Sequence, residues 1–150
     1  MHRRPRLTAL AVAAATLALS GCSSAVEVSA APKASDPLCA KAAQQWPTSV
    51  SGEELREVSV DSPTVRAWGD PAIIARCGMT SPGPTTNDCI GVSGVDWVAR
   101  KLSDGMAFTT YGREPAIEVL VPKDYAPEPL VLGAFTEAAQ QIPQGPRRCS

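Results

Sequence analysis

The chain has 150 residues, 44% hydrophobic and 19% charged, which suffices for one modest domain and excludes a multidomain machine. Its 14 Lys and Arg are balanced by 15 Asp and Glu, a net charge of -1, so no basic field exists to hold a nucleic-acid backbone.

Arg3, Arg4 and Arg6 form a positive start, and residues 7–19 are uncharged and almost wholly Ala, Leu and Val, the pattern of a secretory signal. So short an apolar run falls below the roughly 20 residues that a permanent membrane helix needs. Leu19-Ser20-Gly21-Cys22 resembles the bacterial lipobox, in which small residues let a peptidase cut before a cysteine that carries a diacylglycerol. The expected organisation is a lipoprotein signal peptide at 1–21, acylated Cys22 with a flexible tether to residue 35, and one extracytoplasmic domain at 36–150. Cleavage after Ala14 or Ala18, giving a soluble secreted protein, is the alternative, and the Arg3-Arg4 pair leaves twin-arginine export open beside the general route.

Removing 21 residues and three arginines leaves 129 residues with 11 basic against 15 acidic side chains, a net charge of -4. Such a surface has no polybasic patch for lipid, so the membrane is expected as a partner only through palmitate-type acyl chains on Cys22. His2, the one histidine, is lost as well. A mature chain without histidine cannot build a Ser-His-Asp triad, a Cys-His pair or an imidazole zinc site. No metal and no cofactor is expected.

Along the remaining chain, residues 23–35 are mainly Ser, Ala, Val, Pro and Lys without a burial period, which reads as a tether. Asp36 then caps a helix begun by Pro37, with Leu38, Cys39, Ala42, Ala43 and Trp46 on one face and Pro47 at its end. Glu53, Glu54 and Glu57 read as a solvated run. Val58 and Val60, then Val65 and Ala67, alternate as in short strands. After the Trp68-Gly69-Asp70-Pro71 break, residues 72–75 are apolar on both faces, as in a covered central strand that stops at Arg76 and Cys77. Residues 78–87 read as a Pro- and Gly-rich loop, and Gly91-Val92-Ser93-Gly94 as a turn. Strands at 95–102, 106–111 and 116–121 form an antiparallel meander, the last with Ile117, Val119 and Val121 inward and Glu118 outward. From Pro129, the spacing of Val131, Ala134, Phe135, Ala138 and Ile142 predicts a second amphipathic helix, stopped by Pro143 and Gly145. The fold expected is therefore α+β: a mostly antiparallel sheet of four to five strands packed with an N-terminal and a C-terminal helix and stapled by disulfides.

The chemistry-bearing residues are few. Asp96 and Trp97 fall on opposite faces of one strand, so the ring reads as core and the carboxylate as solvated or paired. Arg76, Arg100 and Arg113, with Asp96, make a candidate ligand or partner surface, because guanidinium groups clamp carboxylates and phosphates; scattered surface arginines are the plainer reading. No residue is assigned a catalytic role. Cys39, Cys77, Cys89 and Cys149 are an even set in an exported chain and so read as disulfides. Four cysteines allow three pairings, and the strand placement ranks Cys77 with Cys89 and Cys39 with Cys149 first.

Residues 68–78, the Gly94-Val95-Asp96-Trp97 step and residues 111–119 together resemble an actinobacterial lipoprotein family, domain of unknown function 3515, over about Asp36 to Cys149. The resemblance implies an exported, lipid-attached protein on the outer side of the cell membrane and carries over no catalytic residue. The expected function is a lipid-anchored binding or accessory module of the cell envelope with an envelope protein or cell-wall partner. The alternatives are a carboxylate-dependent envelope glycan hydrolase using some of Asp70, Asp96, Glu114 and Glu118, and a carrier of a small ligand.

Overall fold

The computed structural model describes residues 24–150, so the expected signal peptide at 1–21 and Cys22 lie outside the described residues. The protein is mostly β. One eight-stranded antiparallel sheet has the order β1-β2-β3-β4-β8-β7-β6-β5. The strands are β1 (Ser49–Val50), β2 (Glu53–Arg56), β3 (Val65–Trp68), β4 (Ile73–Met79), β5 (Cys89–Val92), β6 (Val95–Lys101), β7 (Gly105–Thr110) and β8 (Ala116–Pro122). After β4 the chain crosses to the far edge, and the β5-to-β8 meander returns until β8 lies beside β4.

This corrects the α+β expectation of four to five strands and two substantial helices. Helix α1 (Pro37–Ala43) is short, and α2 (Thr136–Gln140) shorter, preceded by a 3-10 stretch over Glu128–Phe135. The cap of α1 forms as expected: the Asp36 carboxylate accepts the Leu38 N–H at 2.8 Å, and Pro37 fills the first helical position. The second helix fails over its first half because Pro129 and Gly133 weaken α-helical bonding, so the backbone tightens into 3-10 turns that rotate the buried face. Leu132 and Ala139 are therefore buried and Ala134 exposed.

Three strands, β1, β2 and β5, escaped the sequence reading, and two tight turns set them. Ser51-Gly52 and Ser93-Gly94 both have positive φ at each residue (52° and 81°; 51° and 78°), the two-residue hairpin geometry that matches strand twist. The first joins β1 to β2, where Val50 faces Glu53; the second joins β5 to β6, where Val92 faces Val95. The glutamates masked β2, which is flanked on its outer side only by the two-residue β1, and the Gly91-Val92 pair masked the edge strand β5; strands at the margin of a sheet tolerate polar and small residues that a central strand does not. By contrast Val58 forms only an isolated parallel bridge to Val26, and β4 continues past Arg76 and Cys77 to Met79.

Both helical segments cover one sheet face. Ile73, Ala75 and Cys77 of β4, Ile117, Val119 and Val121 of β8, Phe108 of β7 and Trp97 of β6 are buried with Cys39 and Ala42 of α1 and Phe135, Ala138 and Ile142 of the C-terminal segment. Phe135 sits at the centre, edge-on to Trp68 at 5.4 Å and to Trp46 at 6.3 Å. On the opposite face Glu118, expected outward and exposed, is buried because Arg76 pairs with it at 2.8 Å.

Residues 24–35, expected as a tether, instead lie along the sheet. The Val26 N–H donates to Glu57 O and the Ser59 N–H to Val26 O, both at 2.9 Å, Ala31 is buried, and the Lys33 N–H donates to Gly78 O at 2.8 Å. Small side chains without a period suit a strap whose backbone supplies its bonds, a pattern that composition cannot tell from a linker.

The disulfide ranking is also corrected. The bonds are Cys39–Cys77 and Cys89–Cys149. Cys77 points into the core beneath α1, whereas Cys89 points to the other face of a strand four places along the sheet, about 19 Å away at the usual strand spacing. Those two sulfurs cannot meet. The loop between them had suggested adjacency, but it is the crossover that carries the chain from the sheet centre to its edge.

Candidate functional site

The arginines expected to converge do not. Arg76 projects from β4 opposite the helices, where it binds Glu118 through Nε at 2.9 Å and donates to Ser29 O at 3.3 Å. Arg100 is exposed on the same face of β6, with β8 and β7 between the two. Arg113 is buried and donates through Nη1 to Ala139 O, at 3.3 Å, and to Ile142 O, so it closes the carbonyl end of α2. Burial lowers the affinity of this guanidinium for its proton, as does Arg148, and Asp96 partly offsets both. Asp96 accepts the Cys149 N–H at 3.0 Å and holds the C-terminal tail on the sheet. Trp97 is a core ring, as its position required.

Nor do the carboxylates gather. Asp70 lies exposed at one end of the sheet, 3.5 Å from Arg56; Glu114 lies at the other end; Glu118 is consumed by Arg76 and Asp96 by the tail. A glycosidase needs two carboxyl groups aimed at one bond, and these four serve four separate contacts. Among the described residues no group of three or more His, Cys, Asp and Glu is placed to hold a metal ion. Among them, too, no helix is long and apolar enough to cross a membrane.

One concavity is a feature that sequence reasoning missed. A cleft of about 490 Å³ opens where the chain leaves β4 at Thr80 and Ser81, turns between β7 and β8 at Gly112 and Glu114, and passes through Gly145 and Arg147 in the tail. The Glu114 carboxylate accepts the Ser81 N–H at 2.7 Å and pairs with Lys33 of the strap. Burial pushes the Glu114 carboxyl up, but the hydrogen bonds from Lys33 and Ser81 and the Lys33 charge together outweigh it, so its proton affinity falls below the ordinary carboxylate value. Gln144 braces the tail by donating to Tyr111 O at 3.2 Å and Arg147 O at 2.6 Å.

Two buried polar atoms beside this cleft, Ser81 Oγ and Gln144 Oε1, have no hydrogen-bond partner among the described residues. Both atoms are closed off from solvent, so they lie behind the cleft wall rather than facing into it, and the surface of the cleft itself is mainly apolar. Arg147 adds a cation to its wall, donating through Nη1 to Pro82 O at 3.5 Å. Glu114 and Arg147 are the charged groups on the cleft wall, and among the described residues that line it no nucleophile is paired with a base. Lys33, Ser81, Gln144 and Arg147 come from a strap, a loop and a tail, so no motif or spacing announces them.

A family model described as Protein of unknown function (DUF3515) matches residues 6–146. No curated protein and no solved structure matches the chain.

Proposed function

The chain belongs to that family, whose description assigns no chemistry, and from its own residues we propose that it is a lipid-anchored domain of the bacterial cell envelope that acts as a binding or accessory module. The observation that carries the reading is the bonding of all four cysteines of the domain in two disulfides, one in the core and one clasping the tail. Such bonds persist in oxidising compartments and are rare in the cytosol, which agrees with an export signal ahead of the domain. Acylation at Cys22 supplies the membrane attachment that a surface with acidic excess does not.

Binding is favoured over hydrolysis by the cleft at Ser81, Glu114 and Arg147, a mainly apolar concavity with a carboxylate and a guanidinium on its wall, where among the described residues there is neither an activated nucleophile nor a facing carboxylate pair. Fractionation of the producing bacterium tests the anchor. The native protein should sediment with membranes and be released by detergent, and Cys22→Ala should remain as unacylated precursor uncut by the lipoprotein peptidase. A native protein recovered wholly in the aqueous fraction overturns the reading.

A further inference from the structure

The strap fixes where the anchored chain meets the domain. The Ser24 carbonyl accepts from Arg56 Nη2 at 2.9 Å, and Arg56 also donates to Gly69 O at 3.1 Å, so the chain enters at the Gly69-Asp70 end of the sheet. It then runs along the strands, through Val26 at Val58 and Ser29 at Arg76, and reaches the cleft, where Lys33 pairs with Glu114. Strand β4 joins the same two ends, and its seven residues span about 20 Å. Only Ser23 separates Cys22 from Ser24, so two peptide steps, at most about 7.6 Å between Cα atoms, link the acylated residue to the entry point.

We propose that this short link holds the Gly69-Asp70 end of the sheet against the lipid headgroups and turns the Ser81–Glu114–Arg147 cleft away from the membrane, so that the cleft takes its ligand from the aqueous envelope. The proposal rests on the anchor at Cys22. Its cause is the tether and not adsorption: Glu53, Glu54 and Asp70 outnumber Arg56 at the near end, and an acidic surface is not drawn to an anionic leaflet. The strap absorbs the chain length that a flexible linker would otherwise provide, so the domain lacks the reach to present its cleft downward.

Two single-cysteine variants, Asp70→Cys and Thr80→Cys, test the orientation. Both sites are exposed, and in the acylated chain the four domain cysteines are bonded and Cys22 is blocked, so a thiol-reactive fluorophore labels only the new residue. In phosphatidylglycerol–phosphatidylethanolamine vesicles containing a headgroup spin-labelled lipid, the label at position 70 should be quenched at least about threefold more than that at position 80, because the two ends stand about a β4 length apart. Equal or inverted quenching overturns the proposal. The same pair is measured on a chain beginning at Cys22, whose N-terminal 1,2-aminothiol is condensed with a cyanobenzothiazole phospholipid, a reaction that the thiol at position 70 or 80 does not undergo, before that thiol is labelled. Asymmetry there, combined with a native Cys22 that carries no diacylglycerol, refutes the anchor and upholds the orientation. Symmetry there refutes the orientation whatever the native modification.

Discussion

Removing each disulfide in turn separates two stabilising effects. Loop-closure entropy alone, for sequence separations of 38 and 60 residues, assigns about 3.9 kcal/mol to Cys39–Cys77 and about 4.3 kcal/mol to Cys89–Cys149. Loop length thus ranks the tail bond first. The structure reverses the order. Cys39 and Cys77 are fully buried between α1 and β4, so Cys39→Ala/Cys77→Ala loses the full entropic term together with the packing of two sulfurs. The tail beyond Gln144 is mostly exposed, held by the Cys149 N–H to Asp96 and by Gln144, and after Cys89→Ala/Cys149→Ala it can fray without opening the sheet. That native-state freedom returns part of the lost stabilisation, leaving about 2–3 kcal/mol. Urea unfolding followed by the fluorescence of Trp46, Trp68 and Trp97 reads both. With a slope of about 2 kcal/mol per molar, the core pair should lower the midpoint by about 2 M and the tail pair by about 1–1.5 M. A larger loss for the tail pair would refute the reasoning.

Gly78→Ala should cost about 1–3 kcal/mol and free the strap: φ is +118°, and a Cβ there would stand 2.5 Å from Ala34 N and from the Lys33 carbonyl carbon. Hydrogen exchange should show residues 26–34 losing protection while β8 keeps it; unchanged protection in the strap contradicts the contact. The Glu114 carboxyl should titrate below 4.5 by NMR, and Lys33→Met should raise its midpoint. Because the folded value is the lower one, the stabilisation exists above about pH 4.5 and disappears as pH falls through the folded value; Glu114→Gln should remove it at neutral pH and change nothing in strong acid. With side chains 45% and 48% exposed, this pair contributes about 1 kcal/mol or less. Phe135→Ala should cost about 3–5 kcal/mol by thermal or urea unfolding, since its ring fills the space between Trp46 and Trp68; a loss under about 1 kcal/mol contradicts that packing.

The legible parts of the fold were those with strong local chemistry. Asp36-Pro37 fixed the start of α1, and the alternation of Ile117, Val119 and Val121 fixed the inner face of β8. Strands at the sheet margins were harder to read, because Glu53-Glu54 in β2, covered on its outer side only by the two-residue β1, and Gly91-Val92 in the edge strand β5 need not be apolar, and their Ser-Gly turns are weaker signals than Asn-Gly. The strap was invisible because its stability resides in backbone bonds to Glu57, Ser59 and Gly78, which any small residue permits. Disulfide pairing depended on the crossover after β4, and a loop's length does not tell to which edge of a sheet it leads. The cleft was missed for a related reason: its polar groups lie at residues 33, 81, 114, 144 and 147, and only the folded sheet brings them to one end.

Intact-mass and peptide analysis of the protein extracted from membranes, alkylated before any reduction, tests the account most directly. It should give an N-terminus at Cys22 carrying a diacylglycerol thioether, no alkylated cysteine, and the linked peptides Cys39–Cys77 and Cys89–Cys149. An unmodified N-terminus downstream of Cys22, or alkylated domain cysteines, would contradict an exported and lipid-anchored domain.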